Sequence, residues 1–350
     1  MTSQTQIAGV DLIALTTWMD SEGLGAGPLE DVAPIGGGTQ NVMVRFTRDG
    51  REYVLRRGPE HLRPISNKVI SREFQVLRAL HGTGVPHAEL IAACDDPSVL
   101  GDAVFYLMEP VDGFNAGLEL PDAAAGTAEL RRELGFALID ALLSLSRVDH
   151  HEVGLTDFGK PDGFLDRQVD RWLSELASHQ ALPGYPEVEL PHVPEVADWL
   201  RERVPTEWTP GLIHGDFHAC NVMFRRDAPA VAAIVDWEMA TLGDPLLDLG
   251  WLLATWDLAG APEEFAGNLT RAGGLPAADE LIARYAQGSD RSLKQLDWYV
   301  VLACFKLAII LEGTYARAKS DLAPRDIGNR LHATAIALFE RAHSIVNGAS

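Results

Sequence analysis

The stretch 212-LIHGDFHACNVMFRRDAPAVAAIVDWEMATLGDPLLDL-249 decides how this chain is read. It holds His214-Gly215-Asp216, then Asn221 five residues beyond the aspartate, then Asp236-Trp237-Glu238 at the end of an apolar run. One carboxylate can orient a hydroxyl nucleophile. An asparagine and a second carboxylate can hold Mg²⁺ on a nucleotide. Phosphoryl transfer needs those three roles, and the ordered set supplies them where each residue alone would be weak evidence.

The segment His214 to Asn221 has the form H-x-D, four residues, then N, which is the form of a kinase catalytic loop. Asp216 is the candidate to accept or orient the proton of an attacking hydroxyl, the alternative being a turn cap. The side-chain oxygen of Asn221 suits Mg²⁺, a hard cation that prefers oxygen ligands. The run 230–235 reads as a short buried strand, so Asp236 follows it as the principal metal ligand. Glu238, two residues on, is a candidate for a second metal or for bracing the loop; a plain surface charge is the competing reading. His214 is a candidate catalytic residue whose expected part is to hold the loop by hydrogen bonding. His218 completes an H-x-D-x-H pattern that raises a transition-metal alternative, but no further ligand cluster supports it. Cys220 reads as packing. One of Asp244 and Asp248 is expected to cap the following helix or to hydrogen-bond back to the loop.

Nothing in the bulk properties opposes this. The chain has 350 residues, 47% hydrophobic and 23% charged, which suits a globular protein with sizeable cores. A net charge of −21 argues against general nucleic-acid binding. Three cysteines and no Cys/His cluster suggest neither a disulfide framework nor structural zinc, so a reducing, cytoplasmic setting is expected. No signal peptide is recognised. The apolar run 299–311 carries Lys306 and reads as a buried helix, not a membrane span.

Upstream, Asp11 is placed to cap a short helix that Gly23 and Gly25 stop. Strand signals follow at 32–35, 42–46 and 53–56, with Asp49-Gly50 as a hairpin turn. The spacing of Val69, Ile70, Phe74, Leu77 and Leu80 predicts a helix over 66–80, and 104–110 reads as a strand. Beyond residue 112 the patterns are mostly helical, at 130–148, 165–177, 196–204, 246–256, 277–287, 296–318 and 326–346. The expected division is a β-rich nucleotide-binding lobe over 1–111 and a helical catalytic and acceptor-binding lobe over 112–350. The fold class is α+β, a bilobal kinase-like layout.

Within the first lobe, Gly36, Gly37 and Gly38 can let backbone N–H groups approach phosphates; a plain turn is the alternative. Arg56 stands in the strand position where a kinase carries its phosphate-pairing lysine, and guanidinium keeps that charge role. Glu73 is its candidate ion-pair partner. Met108, Glu109 and Val111 fall at the connection between lobes, where backbone groups could meet a nucleobase. Asp157-Phe158-Gly159 spells a kinase metal tripeptide but precedes the loop that it should follow, so it is set aside in favour of Asp236.

With these residues in hand, the chain resembles the aminoglycoside phosphotransferase-like (phosphotransferase enzyme) family, which shares the protein-kinase fold. The resemblance rests on His214-Gly215-Asp216 with Asn221, 234-IVDWE-238, Gly243-Asp244-Pro245 and Asp248, and extends to 53-YVLRR-57, Arg72-Glu73, Met108-Glu109, 167-RQVDRW-172 and 305-FKLA-308. The branch it resembles is the kinase-like domain fused to some acyl-CoA dehydrogenases. The resemblance implies a Mg²⁺-dependent O-phosphotransferase using ATP or GTP, with Asp216 as base, Asn221 and Asp236 on Mg²⁺ and Arg56 on the nucleotide phosphates. Acceptors in such a family include antibiotics, amino alcohols, sugars and hydroxyacyl compounds. Trp172, Trp251, Trp256, Glu312, Tyr315 and Arg317 are candidates to line the acceptor pocket, with core packing the default for the tryptophans. The expected partners are a nucleoside triphosphate and a small hydroxyl acceptor, with no nucleic acid or membrane. Competing readings are a nucleotide-binding pseudokinase or regulatory module, a protein kinase, which the missing A-P-E segment disfavours, and a metal hydrolase.

Overall fold

The computed structural model describes residues 9–36, 41–185, 190–256 and 263–348, the last stretch as backbone alone over 263–267. The chain forms two compact units: residues 1–112 with 233–240, and residues 113–232 with 241–350.

The first unit is built on an antiparallel sheet of β1 (Glu30–Pro34), β2 (Val42–Arg48), β3 (Arg51–Arg57), β4 (Leu90–Cys94) and β5 (Phe105–Met108), in the order β1-β2-β3-β5-β4. Asp49 and Gly50 close the β2–β3 hairpin with φ of 52° and 73°. Two successive left-handed residues make the turn whose twist matches that of paired strands, and Asp-Gly is the pair that tolerates it. Helix α1 (Leu12–Ser21) begins where the Asp11 carboxylate accepts from the Ile13 and Ala14 amides. It contributes Leu15, Trp18 and Met19 to a core with Phe46, Tyr53, Leu55 and Phe105. Trp18 meets Phe105 edge-on at 4.7 Å, and Phe46 stacks on Tyr53 at 5.3 Å. Helix α2 (Ser66–Leu80) buries Ile70, Phe74, Leu77 and Leu80 of the predicted stripe, with Ser66, Glu73 and Val76 besides, while Val69 is half-buried.

Residues 233–240 correct the expected division of the chain, which assigned them to the helical lobe. Hydrogen bonds hold them in the first unit: the Ile234 amide donates to the Pro86 carbonyl at 2.9 Å, and Arg72 donates to the Ala240 carbonyl at 3.0 Å. Strand β4 is also absent from the sequence reading.

The second unit contains strands β6 (Phe114–Asn115), β7 (Gly211–Ile213), β8 (Val222–Phe224) and β10 (Thr241–Gly243), and the start of β9 (Val231–Ile234). β10 pairs antiparallel with β7, and β8 lies between β6 and β9. The helices are α3 (Asp122–Gly126), α4 (Ala128–Ser146), α5 (Gln168–Gln180), α6 (Val193–Glu202), α7 (Leu246–Trp256), α8 (Glu263–Ala272), α9 (Ala278–Gly288), α10 (Leu296–Lys319) and α11 (Arg325–Val346). α10 is long and apolar enough to cross a membrane by length and composition, but 83% of its apolar window is buried inside the protein.

Two glycines set how near other helices approach α10. A Cβ on Gly250 of α7 would lie 2.7 Å from the Tyr299 carbonyl carbon and oxygen, and one on Gly328 of α11 would lie 2.4 Å from the Ala318 Cβ. Backbone cannot rotate away as a side-chain tip can, so an added methyl must separate the helices. In a helix interior alanine is better than glycine by about 1 kcal/mol, but overpacking costs about 1–3 kcal/mol. Gly250→Ala is therefore expected to lower the melting temperature despite its better helix propensity. Thermal unfolding followed by circular dichroism measures this, and a melting point equal to or above the original would contradict the close approach.

Candidate active-site groups

The catalytic-loop residues all lie in the second unit. β7 delivers the chain to His214, and Gly215 turns it with φ of 84°. Asp248, in the first turn of α7, is 2% exposed and accepts two backbone hydrogen bonds: His214 N–H at 2.7 Å and Gly215 N–H at 2.8 Å. Burial pushes the Asp248 carboxyl up, while the His214 ring, these two donors and Lys306 favour its charge. The neighbouring Asp244 takes the other role that its position allowed. It caps α7 by accepting from the Leu246 amide at 3.0 Å and is itself held by the Tyr299 hydroxyl at 2.5 Å.

Asp216 is held from two sides. The Asn221 amide nitrogen donates to its backbone carbonyl and to its carboxylate Oδ2, both at 2.9 Å. Using the nitrogen this way commits Asn221 to presenting its oxygen elsewhere, the arrangement a cation ligand needs. The His218 ring lies with Nε2 3.6 Å from Asp216 Oδ1, and its Nδ1 accepts from the Cys220 amide at 3.2 Å. Burial alone would raise the Asp216 carboxyl, but His218 outweighs it, with help from His214 and Lys306, and holds the group below the ordinary carboxylate range. The pair acts reciprocally. Burial opposes charge on His218, and the Asp216 carboxylate overrides it and moves the ring's pKa upward.

His214 is fully buried, its ring edge-on to Phe217, with Nδ1 accepting from the Asp216 amide at 3.3 Å. That is a brace for the loop, the part expected of it. The transition-metal alternative finds no support in the geometry: among the described residues the three-ligand cluster is Glu73, Asp236 and Glu238, not the two histidines. Asp157 is exposed in a turn, in keeping with its dismissal.

Lys306 is the residue that the sequence reading left without a role at the loop. From the middle of α10 its ammonium donates to the Gly215 carbonyl at 2.8 Å and lies 4.4 Å from the centroid of the Trp251 ring and 5.6 Å from that of Trp172. Both indoles are buried, so packing around this lysine accounts for them.

The phosphate- and metal-binding candidates lie in the first unit. Arg56 Nη2 donates to Glu73 Oε1 at 3.0 Å and to Asp236 Oδ1 at 2.8 Å, and Arg56 Nε lies 2.7 Å from Glu73 Oε2. Glu73 is 1% exposed, so it is not a solvated helix charge. The neighbouring Arg57 is spent on the backbone carbonyls of Gly9, Gly58 and Pro59, so Arg56 is the arginine with a functional setting. Desolvation opposes the Arg56 charge, but Glu73, Tyr106 and Asp236 more than compensate and raise its pKa. Burial pushes the Glu73 carboxyl up in spite of Arg56. Asp236 sits in the left-handed region (φ 66°, ψ 64°), sparsely populated for residues other than glycine, and begins the one-turn helix Trp237–Met239. The Glu238 carboxylate, although exposed, comes within 4.8 Å of those of Asp236 and Glu73. Oxygen donors without thiolate or imidazole are the set Mg²⁺ takes, so Asp236 and Glu238 of this unit fit that ion by chemistry.

The remaining expectations fare unevenly. Gly36 is exposed with nothing within 4 Å of an added Cβ, while Gly37 and Gly38 lie outside the described residues. Met108 ends β5. The Glu109 amide is given to the Glu89 carbonyl at 2.9 Å and its side chain to Arg51, so this residue's N–H is already used; Val111 is half-buried. Of the acceptor-pocket candidates, Glu312 is fully buried and accepts from the Tyr185 hydroxyl at 2.6 Å with His332 Nδ1 at 2.7 Å. Tyr315 stacks on His332 at 4.1 Å. Tyr106, whose hydroxyl donates to Glu73 Oε2 at 2.9 Å, was missed; a tyrosine inside an apolar strand carries no signal of a polar partner.

The Lys306 environment has a measurable consequence. Burial lowers its pKa to about 8 from an ordinary 10.5, although Asp216 and Asp248 pull the other way. The folded protein thus releases this proton before the unfolded chain does. Between about pH 8 and pH 10.5 the unfolded state holds more protons, and stability rises with pH across that window. A shift of this size corresponds to about 3 kcal/mol at most. Lys306→Met is expected to flatten that rise, read as the difference between the two proteins in urea midpoints at pH 7.5 and 10. Identical slopes would refute the assignment.

Comparison with known proteins bears on the family and the fold. The model of the phosphotransferase enzyme family matches residues 31–285. A probable acyl-CoA dehydrogenase of Arabidopsis thaliana is 33% identical over 280 residues, covering 76% of this chain and 33% of that one. The chain spans about a third of the length of the curated relatives it matches. Among solved structures, a Ralstonia eutropha protein provisionally named an aminoglycoside phosphotransferase is 30% identical with a TM-score of 0.78, covering 96% of this chain and 99% of that one. A ternary complex of an aminoglycoside phosphotransferase with AMP-PNP and hygromycin B shares the fold at 15% identity, TM-score 0.61, covering 93% and 98%. By its family model and by a relative matched over nearly its full length, the chain belongs to the phosphotransferase enzyme family and has its kinase-like fold.

Proposed function

We propose that this protein transfers the γ-phosphoryl group of ATP or GTP to a hydroxyl of a small molecule, with Mg²⁺ on the nucleotide. The observation that carries the reading is the Asn221–Asp216 pairing, because it fixes a carboxylate for the hydroxyl and frees an amide oxygen for the cation in one contact. Asp216 keeps a lone pair on each oxygen beyond the bonds it makes, and can take the hydrogen bond of an acceptor hydroxyl. Its depressed pKa makes it a weak base that orients the hydroxyl more than it strips it. That suits a loose transition state, in which the bond to the leaving diphosphate is largely broken before the new one forms. As the acceptor oxygen bonds to phosphorus, its proton passes to Asp216 and the nucleoside diphosphate leaves. Arg56 offers its guanidinium to the phosphate oxygens. Asp236 and Asn221, with Glu238 as a further candidate, would hold Mg²⁺, which when bound neutralises phosphate charge. A cytoplasmic setting belongs to the same proposal and rests on the sparse cysteines, three in 350 residues.

Two variants test the assignment. Asp216→Ala is expected to lower the rate of acceptor-dependent diphosphate release by about 10²–10⁴-fold while nucleotide still binds. The assay would use Mg²⁺ with ATP or GTP and a panel of aminoglycosides, amino alcohols, sugars and hydroxyacyl compounds; turnover retained by the variant would sink the role of Asp216. Asp236→Ala is expected to abolish the dependence of nucleotide affinity on Mg²⁺, followed by calorimetric titration with and without the ion. Nucleotide binding with silence across the acceptor panel would favour a regulatory module.

A further inference from the structure

Two side chains of the first unit, Arg56 and Tyr106, converge on Glu73 of α2, and Tyr106 has no part in the proposed reaction. On the sheet, Arg56 of β3 and Tyr106 of β5 are direct partners in the antiparallel ladder. Directly opposed residues project to the same face, so both side chains reach Glu73 together. Arg56 takes Glu73 Oε1 through Nη2 at 3.0 Å, and the Tyr106 hydroxyl takes Oε2 at 2.9 Å. Tyr106 is 3% exposed and Glu73 is 1% exposed, so water cannot substitute for either contact. The same Arg56 Nη2 also holds Asp236 at 2.8 Å, leaving one guanidinium shared by two carboxylates.

A phosphate arriving at Arg56 would compete for that guanidinium. If Glu73 depended on Arg56 alone, any turn of the guanidinium toward the ligand would leave a buried carboxylate short of donors, a cost that opposes binding. Tyr106 removes this dependence. Its hydroxyl is uncharged, fixed on the central part of the sheet, and bound to Oε2, so that oxygen, which Arg56 Nε also approaches at 2.7 Å, keeps a donor when the guanidinium turns away.

We propose that Tyr106 is a positioning residue for phosphate binding: it anchors Glu73 so that Arg56 can exchange Asp236 for a nucleotide phosphate while staying tied to α2. The inference rests on the reading of Arg56 as the phosphate contact. It concerns a residue that touches neither nucleotide nor acceptor, so its signature is a loss of nucleotide affinity transmitted through Glu73.

The experiment is a double-mutant cycle on nucleotide binding, measured by calorimetry with Mg²⁺ and the non-hydrolysable analogue AMP-PNP or its guanosine counterpart. Tyr106→Phe keeps the ring and its packing and removes the one donor. It is expected to weaken binding about tenfold, the size of one hydrogen bond to a charged group. The acceptor KM should stay unchanged. In a Glu73→Gln background the same substitution is expected to change affinity less than about twofold, because its target charge is gone. A purely structural role would lower the melting temperature without this coupling. Equal affinity of Tyr106→Phe and the unaltered protein, or an equal loss in both backgrounds, would overturn the inference alone. Absence of nucleotide binding by the unaltered protein would overturn the role of Arg56, and this inference with it.

Discussion

The catalytic loop hangs on one buried carboxylate. Asp248 accepts the amides of His214 and Gly215 and so fixes that bend in the chain. Burying the carboxylate is costly, which is why its pKa is pushed up. The cost is bearable because the two N–H groups, the His214 ring and the Lys306 ammonium all face it. Lys306 in turn lies over Trp251, three residues along α7 from Asp248, and donates to the Gly215 carbonyl. The loop is thus clamped on its amide side from α7 and on its carbonyl side from α10. Gly250 keeps those two helices close enough for both clamps to reach.

The two halves of the chemistry solve the same electrostatic problem in different ways. In the second unit Asp216 stays ionised because His218 stands beside it, so an anion is stabilised by a neighbour that it in turn charges. In the first unit a single guanidinium serves two carboxylates, and a tyrosine supplies the balance. The guanidinium at Arg56 suits this arrangement better than an ammonium would. Its planar fork can face Glu73 and Asp236 at once, where a lysine offers a point charge.

Much of this was legible in the sequence because it is local. The helix over 66–80 is written in its apolar spacing, the hairpin in Asp49-Gly50, and the helix over 246–256 in an apolar run bounded by an aspartate cap. The metal and base candidates were legible because a fixed spacing of acidic and amide residues has few other uses. What stayed hidden depends on partners distant in the chain. β7 and β10 are three residues each and exist only because Leu212 and Leu242 meet across thirty residues of sequence. Strand β4 reads as a short apolar run with no turn signal of its own. The division between Asp244 and Asp248, one a helix cap and one a loop anchor, could be posed from the sequence but not decided by it. Tyr106 and Lys306 each look like an ordinary member of a hydrophobic segment until the polar group they touch is known.

Residues 233–240 were described above as part of the first unit although the chain on both sides belongs to the second. The polypeptide therefore passes from one unit to the other three times, and each unit is sewn from two pieces; the shorter piece of the first unit carries Asp236. No single break in the chain separates the units intact. A gene fragment stopping at residue 112 would encode the five-stranded sheet without Asp236, the partner of Arg56. For a chain that matches about a third of its longer relatives, this stitching means that the two units travel together or not at all.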